Sequence, residues 1–368
     1  MVKNQFDLIP WAQPEFWGNE QKYVDEALQS TWISGGHFLD RFENDFAKYC
    51  GKPFAISASN GTTAIHMAYL GLGIMPGDEI IVPGFAFMAG ANIALQMNAK
   101  PVFAEVDPSS WCVTADAIEK CISPRTRLIL PVHTYGNVCL MDDILALGKI
   151  KNILVVEDVA EAFTSRYKGK LAGTLAETAT FSFQATKIIT TGEGGMVITD
   201  NKNLYEKMGL YRSHGMLKTR YLHEVAGHNF RLTNMQAALG CAQMENLETI
   251  ISQRKRVHIT YKKHLEAIAG FKLQYFPPEI DPVLWALALK LDPAAFPQGR
   301  DEVMRSLKEY GIESRPGFYA ASQMDLYGKQ ILPISEDIAR WVISLPTYPS
   351  LQDEQIDFIC KSLSMLRR

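Results

Sequence analysis

The sequence predicts an α/β protein: a large domain built on a mainly parallel, mixed sheet between helices, followed by a smaller C-terminal α/β domain. Two observations lead there. Short continuous apolar runs of strand length alternate with segments of helical apolar spacing, the signature of strands buried on both faces. A length of 368 residues also exceeds what one core ordinarily organises.

The elements follow in order. Thr62–Leu72 has helical spacing, Met75-Pro76-Gly77-Asp78 is a turn, and Glu79–Val82 reads as a strand. A helix through Met88–Met97 and a strand over Pro101–Val106 repeat the unit, and Leu128–Val132 and Ile153–Val156 are further buried strands. Thr178–Phe183 and Gly195–Asp200 form two more, joined by a polar, glycine-rich connection that holds Lys187. Thr233–His264 reads as one long helical element. Val283–Leu291 is then a strand, Arg300–Tyr310 a helix and Gln352–Leu366 a closing helix. The division this suggests is 1–250 for the large domain, with an N-terminal segment, and 251–368 for the small one.

Hydrophobic residues make up 47% and charged residues 21%, an ordinary globular balance. A formal net charge of −3 gives no general attraction to nucleic acid, so an anionic ligand needs local donors. Six scattered cysteines form no Cys-x-x-Cys pair and stand at no metal-ligand spacing, so neither a metal site nor a disulfide framework is expected. No run reaches the length of a membrane span and no leader pattern opens the chain, so a cytoplasmic protein is expected.

Three places carry chemistry. Lys187 stands between an apolar strand and the Gly192–Gly195 turn. Lysine is ordinarily solvated, but an enclosed lysine of lowered pKa is a Schiff-base nucleophile, and glycines let a cofactor approach the backbone. Asp158 ends an apolar strand, where open α/β sheets bind ligands. There it either caps the next turn or holds a pyridine nitrogen protonated, with Glu161 close by in sequence. Ser57–Ala64 places small polar residues and Gly61 before a helix, either a plain cap or an anion site. Neither Gly71-Leu72-Gly73 nor the Gly192–Gly195 turn has dinucleotide or P-loop spacing.

Together, Asn60-Gly61-Thr62, Pro83-Gly84-Phe85-Ala86-Phe87, Pro131-Val132-His133-Thr134-Tyr135-Gly136, Glu157-Asp158-x-Ala160, Phe181-Ser182-Phe183-x-x-x-Lys187, Gly192-Glu193-Gly194-Gly195 and Asn229-x-Arg231-x-Thr233-Asn234 resemble one family. It is the sugar aminotransferase family named after the DegT, DnrJ, EryC and StrS proteins, of fold type I and dependent on pyridoxal 5'-phosphate. The resemblance covers nearly the whole chain. It implies that Lys187 bonds covalently to the cofactor, Asp158 pairs with the ring nitrogen, Glu161 approaches the 3-hydroxyl and Phe87 stacks on the ring. Gly61, Thr62 and Ser182 are implied on the phosphate, joined by Asn229 of a neighbouring subunit, so a homodimer with shared active sites is implied too.

Within the family the chain resembles the enzymes that move an amino group from glutamate to C4 of a nucleotide-linked 4-keto-6-deoxyhexose, in surface-glycan synthesis such as O-antigen. GDP and dTDP linkage both stay open, because Phe183-Gln184-Ala185-Thr186 replaces Phe-Gly-Asn and Ala320-Ala321-Ser322-Gln323 lacks the usual Pro-x-His. Arg231 and Arg315 are candidates for the pyrophosphate, since guanidinium forks suit it. His133 and His214 are read as structural rather than catalytic. The rival readings are a sugar C3 dehydratase, expected to carry histidine in place of Lys187, and a silent binding protein of the same fold.

Overall fold

The computed structural model describes residues 8–216, 219–266 and 268–368. Among them the large sheet comprises β1 (Phe54–Ala58), β2 (Glu79–Pro83), β3 (Lys100–Ala104), β4 (Thr126–Ile129), β5 (Leu154–Asp158), β8 (Thr178–Ser182) and β9 (Gly195–Thr199), with β6 (Arg166–Tyr167) and β7 (Lys170–Leu171) forming a small ribbon beside β11 (Ile280–Asp281). The order is β1-β9-β8-β5-β4-β2-β3. β9 runs antiparallel to both its neighbours, and the remaining pairs are parallel. The carboxyl ends of β1, β2, β4, β5 and β8 therefore share one edge with the start of β9, and that edge is where an open α/β sheet presents a ligand crevice.

The helices are α1 (Glu20–Gln29), α2 (His37–Cys50), α3 (Gly61–Leu72), α4 (Ala89–Gln96), α5 (Ala115–Glu119), α6 (Met141–Lys151), α7 (Lys202–Arg212), α8 (Asn234–Glu245), α9 (Leu247–Leu265), α10 (Arg300–Glu309), α11 (Pro333–Trp341) and α12 (Asp353–Met365). α2 explains how the strand before Lys187 is held. Phe38, Phe42 and Phe46 recur every four residues and so share one helical face. Phe42 meets Phe183 edge-on at 5.2 Å, and Phe46 meets Phe181 at 5.0 Å. All four rings are buried, worth roughly 1.5–3 kcal/mol each, so the end of β8 is pinned from behind.

The expected single helix over Thr233–His264 is two helices. Asn246 breaks it at φ −107° and ψ 13°, with its side-chain amide donating to the Ala242 carbonyl at 3.1 Å. A short polar side chain that competes for backbone acceptors ends α8, and α9 restarts at Leu247. The strand expected over Val283–Leu291 begins only at Leu287; Leu284 and Trp285 instead lie in the approach to it.

A second, antiparallel sheet has the order β10 (Phe271–Leu273), β12 (Leu287–Leu291), β14 (Val342–Leu345), β13 (Arg315–Pro316). Its core joins Val257, Tyr261 and Leu265 of α9 to Val303 and Leu307 of α10 and to Ile356, Ile359 and Leu363 of α12. No helix among the described residues is long and apolar enough to cross a membrane.

Candidate active site

Lys187 sits in a loop that leaves β8 and returns to β9. The loop is closed on itself: Phe183 N–H donates to the Gly194 carbonyl at 2.8 Å, Thr191 N–H to the Phe183 carbonyl at 2.9 Å, and Lys187 N–H to the Gln184 carbonyl at 2.8 Å. The Lys187 Nζ lies 3.8 Å from the centre of the Trp285 ring and has no hydrogen-bonding partner among the described residues. Trp285 is held in turn by its indole N–H, which donates to the Thr186 carbonyl at 3.0 Å. Burial pushes the lysine below its ordinary pKa, against the opposing attraction of Glu161 and Asp158.

Those carboxylates come from the end of β5, where alternation decides their roles. Glu157 points into the protein and is saturated: it takes N–H donors from Gly173, Leu175 and Ala176 and pairs with His133 Nε2 at 3.0 Å. His133 is fully buried, and its Nδ1 accepts from the Cys139 N–H, so it is a satisfied structural histidine. Asp158 points the other way and lines the cavity in front of Lys187. One of its oxygens accepts the Ala160 N–H at 3.0 Å, and burial raises its pKa despite that bond and the nearby lysine. Glu161 accepts the Tyr135 N–H at 2.9 Å, and burial pushes its pKa up to about 7. The cavity thus holds carboxylates short of positive charge.

At the neighbouring strand end, Asn60 caps α3 with a reciprocal pair to Thr63, so the plain cap is real. The Gly61 and Thr62 N–H groups are left without partners among the described residues, which with the helix dipole favours an anion. Gly61 is pressed on β8: a methyl group there would lie 2.8 Å from Ser182 Cβ. Only glycine lets the helix start this close.

Gly61, Thr62, Phe87, Asp158, Glu161, Ser182 and Lys187 all line this one cavity of about 660 Å³. Arg315 does not; it lines an adjoining cavity of about 710 Å³ and pairs with Glu313 at 3.1 Å. Asn229 and Arg231 are exposed, are bonded to each other at 2.9 Å, and are not among the residues lining the lysine cavity of their own chain. His214 lines a separate surface groove with His223 and Glu224. Two residues had no signal in the sequence. Trp285 sits in an apolar run indistinguishable from core, and Arg254 sits on a charged helix. Arg254 is nonetheless buried, donating to the carbonyls of Lys187 at 3.2 Å and Leu284 at 3.1 Å.

An enclosed amine without a hydrogen-bonding partner, a buried carboxylate without an ion pair and a cradle of unpaired N–H groups, each so among the described residues and all at the carboxyl edge of the sheet, fit a ligand that carries an aldehyde, a basic ring nitrogen and a phosphate. Pyridoxal phosphate has all three, and the cavity fits that of a pyridoxal-phosphate transferase. The chain belongs to the DegT/DnrJ/EryC1/StrS aminotransferase family, whose sequence pattern matches residues 15–364. Members of that family are pyridoxal-phosphate transaminases. The chain is 40% identical to GDP-perosamine synthase of Escherichia coli O157:H7 over 360 residues, covering 97% of this chain and 98% of that protein. It is likewise 40% identical to GDP-perosamine synthase of Caulobacter vibrioides over 367 residues, with the same coverage. Among solved structures, Helicobacter pylori PseC, an aminotransferase involved in the biosynthesis of pseudoaminic acid, superposes with a TM-score of 0.92 at 28% identity, covering 98% of this chain and 99% of that one.

Proposed function

We propose that the enzyme transfers the amino group of glutamate to C4 of a GDP-linked 4-keto-6-deoxyhexose, as a cytoplasmic homodimer. The observation that carries the reading is the meeting of Lys187 and Asp158 in one cavity, in a chain that matches GDP-perosamine synthases along nearly its whole length.

When bound, pyridoxal phosphate supplies an aldehyde that carries nitrogen from one substrate to the other and a ring that takes up negative charge. Gly61, Thr62 and Ser182 would hold its phosphate, and Phe87 would cover the ring. Asp158 would keep a proton on the ring nitrogen, and Glu161 would take the 3-hydroxyl. Lys187, whose burial favours the neutral amine, would hold the aldehyde carbon and would act as the base that moves a proton at the glutamate α-carbon and, in the return half, at C4 of the sugar. Trp285 keeps the amine in place and shields it from water. Ping-pong kinetics follow.

The position of Asn229 and Arg231 outside the lysine cavity of their own chain supports a site completed by a second subunit, with Asn229 on the partner's cofactor phosphate and Arg231 and Arg315 on the pyrophosphate. A sugar C3 dehydratase is not favoured, since residue 187 is lysine rather than histidine. The test offers GDP-linked and dTDP-linked 4-keto-6-deoxy sugars with glutamate and follows nitrogen by mass spectrometry. Amination of the GDP-linked sugar is expected; a preference for the dTDP-linked sugar overturns the nucleotide, and amination of neither overturns the function.

A further inference from the structure

Gln184 stands in the loop three residues before Lys187, and the structure puts it at a junction. Among the described residues, the lysine cavity and the adjoining 710 Å³ cavity share only Phe87, Gln184, Thr186 and Trp285 in their linings. Two of these are aromatic, and the Thr186 hydroxyl is already engaged. It donates to Gln184 Oε1 at 2.7 Å and lies 3.4 Å from the Trp285 indole N–H.

The orientation of the Gln184 amide is set by chemistry. Thr186 N–H, which can only donate, meets Oε1 at 2.9 Å, so Oε1 is the oxygen and the other terminal atom is the NH2 group. That group has no partner among the described residues. A run of oriented donors, from the Trp285 indole through the Thr186 hydroxyl, thus ends in two unused N–H bonds between the cavities. A nucleotide-linked keto sugar must place its carbonyl at Lys187 and its nucleoside diphosphate toward Arg315, which leaves the hexose ring at the junction.

We propose that Gln184 reads the hexose, one of its amide N–H bonds donating to a hydroxyl oxygen of the sugar while the keto carbon sits at Lys187. This rests on the nucleotide-sugar reading above. A sugar lacking that oxygen would strand that donor in a half-buried neck and be discriminated against. The nucleotide itself would be indifferent to Gln184.

Two variants test this in the holoenzyme. Gln184→Met removes the donors without adding charge, and Gln184→Glu keeps an acceptor for the Thr186 N–H and hydroxyl, so the turn retains its bonds. Stopped-flow absorbance separates the glutamate half-reaction from the sugar half-reaction, and calorimetry measures GDP binding. The ratio of sugar to glutamate kcat/KM should fall about tenfold in both variants, with the Kd of GDP within about twofold of wild type. An unchanged ratio in either variant overturns the assignment. A parallel loss of GDP affinity also overturns it, by placing Gln184 on the diphosphate. A wild-type enzyme that aminates no nucleotide-linked keto sugar fails at the preceding reading instead, and is recognised by that result alone.

Discussion

Replacing Gly61 with alanine probes the anion cradle with one methyl group. That methyl would lie 2.8 Å from Ser182 Cβ, 3.2 Å from its hydroxyl and 3.4 Å from its Cα, against an ordinary carbon–carbon contact of roughly 3.5–4.0 Å. Ser182 has little room to retreat. It ends β8 opposite Gly195, whose own backbone is packed against the Asn60 carbonyl. The start of α3 must therefore lift away from the strand. Overpacking of this kind costs about 1–3 kcal/mol, offset by at most about 1 kcal/mol from the better helix propensity of alanine. The cofactor-free variant should lose roughly 1–2 kcal/mol in urea unfolding. Displaced N–H donors to a phosphate should weaken pyridoxal phosphate about tenfold to a hundredfold, read by absorbance titration. A Gly61→Ala protein at least as stable as wild type, with unchanged cofactor affinity, would refute the reasoning: propensity alone would then govern the site.

Three further outcomes are expected. Burial raises Glu161 to about 7 in the fold, so its stabilising neutral form is fully present below the unfolded value near 4.5 and is lost as pH rises through 7. Glu161→Gln should therefore stabilise the cofactor-free protein by up to about 3 kcal/mol at pH 8 and hardly at all at pH 4.5, and a difference that ignores pH contradicts this. Arg254→Met strips donors from the buried carbonyls of Lys187 and Leu284, and a loss of about 2–5 kcal/mol in urea unfolding is expected, partly recovered by Arg254→Lys. Asp158→Asn leaves the cavity's shape but not its charge; turnover should fall at least about a hundredfold while GDP binding holds, and near-normal turnover would remove Asp158 from the chemistry.

The edge of the sheet was legible because its residues obey local rules. Continuous apolar runs marked β2, β5, β8 and β9, and the polar residues stranded at their ends, Asp158 and Lys187, proved to face one cavity. Helical spacing from Thr62, preceded by small polar residues, placed the start of α3 within one residue of Gly61. What stayed hidden depends on contacts across long sequence distances. Trp285 belongs to the site only because the chain after α9 folds back over Lys187, and nothing in Leu284-Trp285-Ala286 separates that from core. Arg254 reads as one more solvent-facing charge between Gln253 and Lys255; its burial is a property of the packing. The break at Asn246 was missed because one asparagine inside a helical pattern is a weak stop signal, and its bond to the Ala242 carbonyl forms only once the helix exists.

The most direct measurement traps the cofactor where it is bound. Reduction of the holoenzyme with borohydride, digestion and peptide mass spectrometry should find the pyridoxyl phosphate group on the peptide carrying Lys187, absent from a Lys187→Ala protein. Label on a different lysine, or no label on a protein that still aminates its sugar, would contradict the assignment of this site.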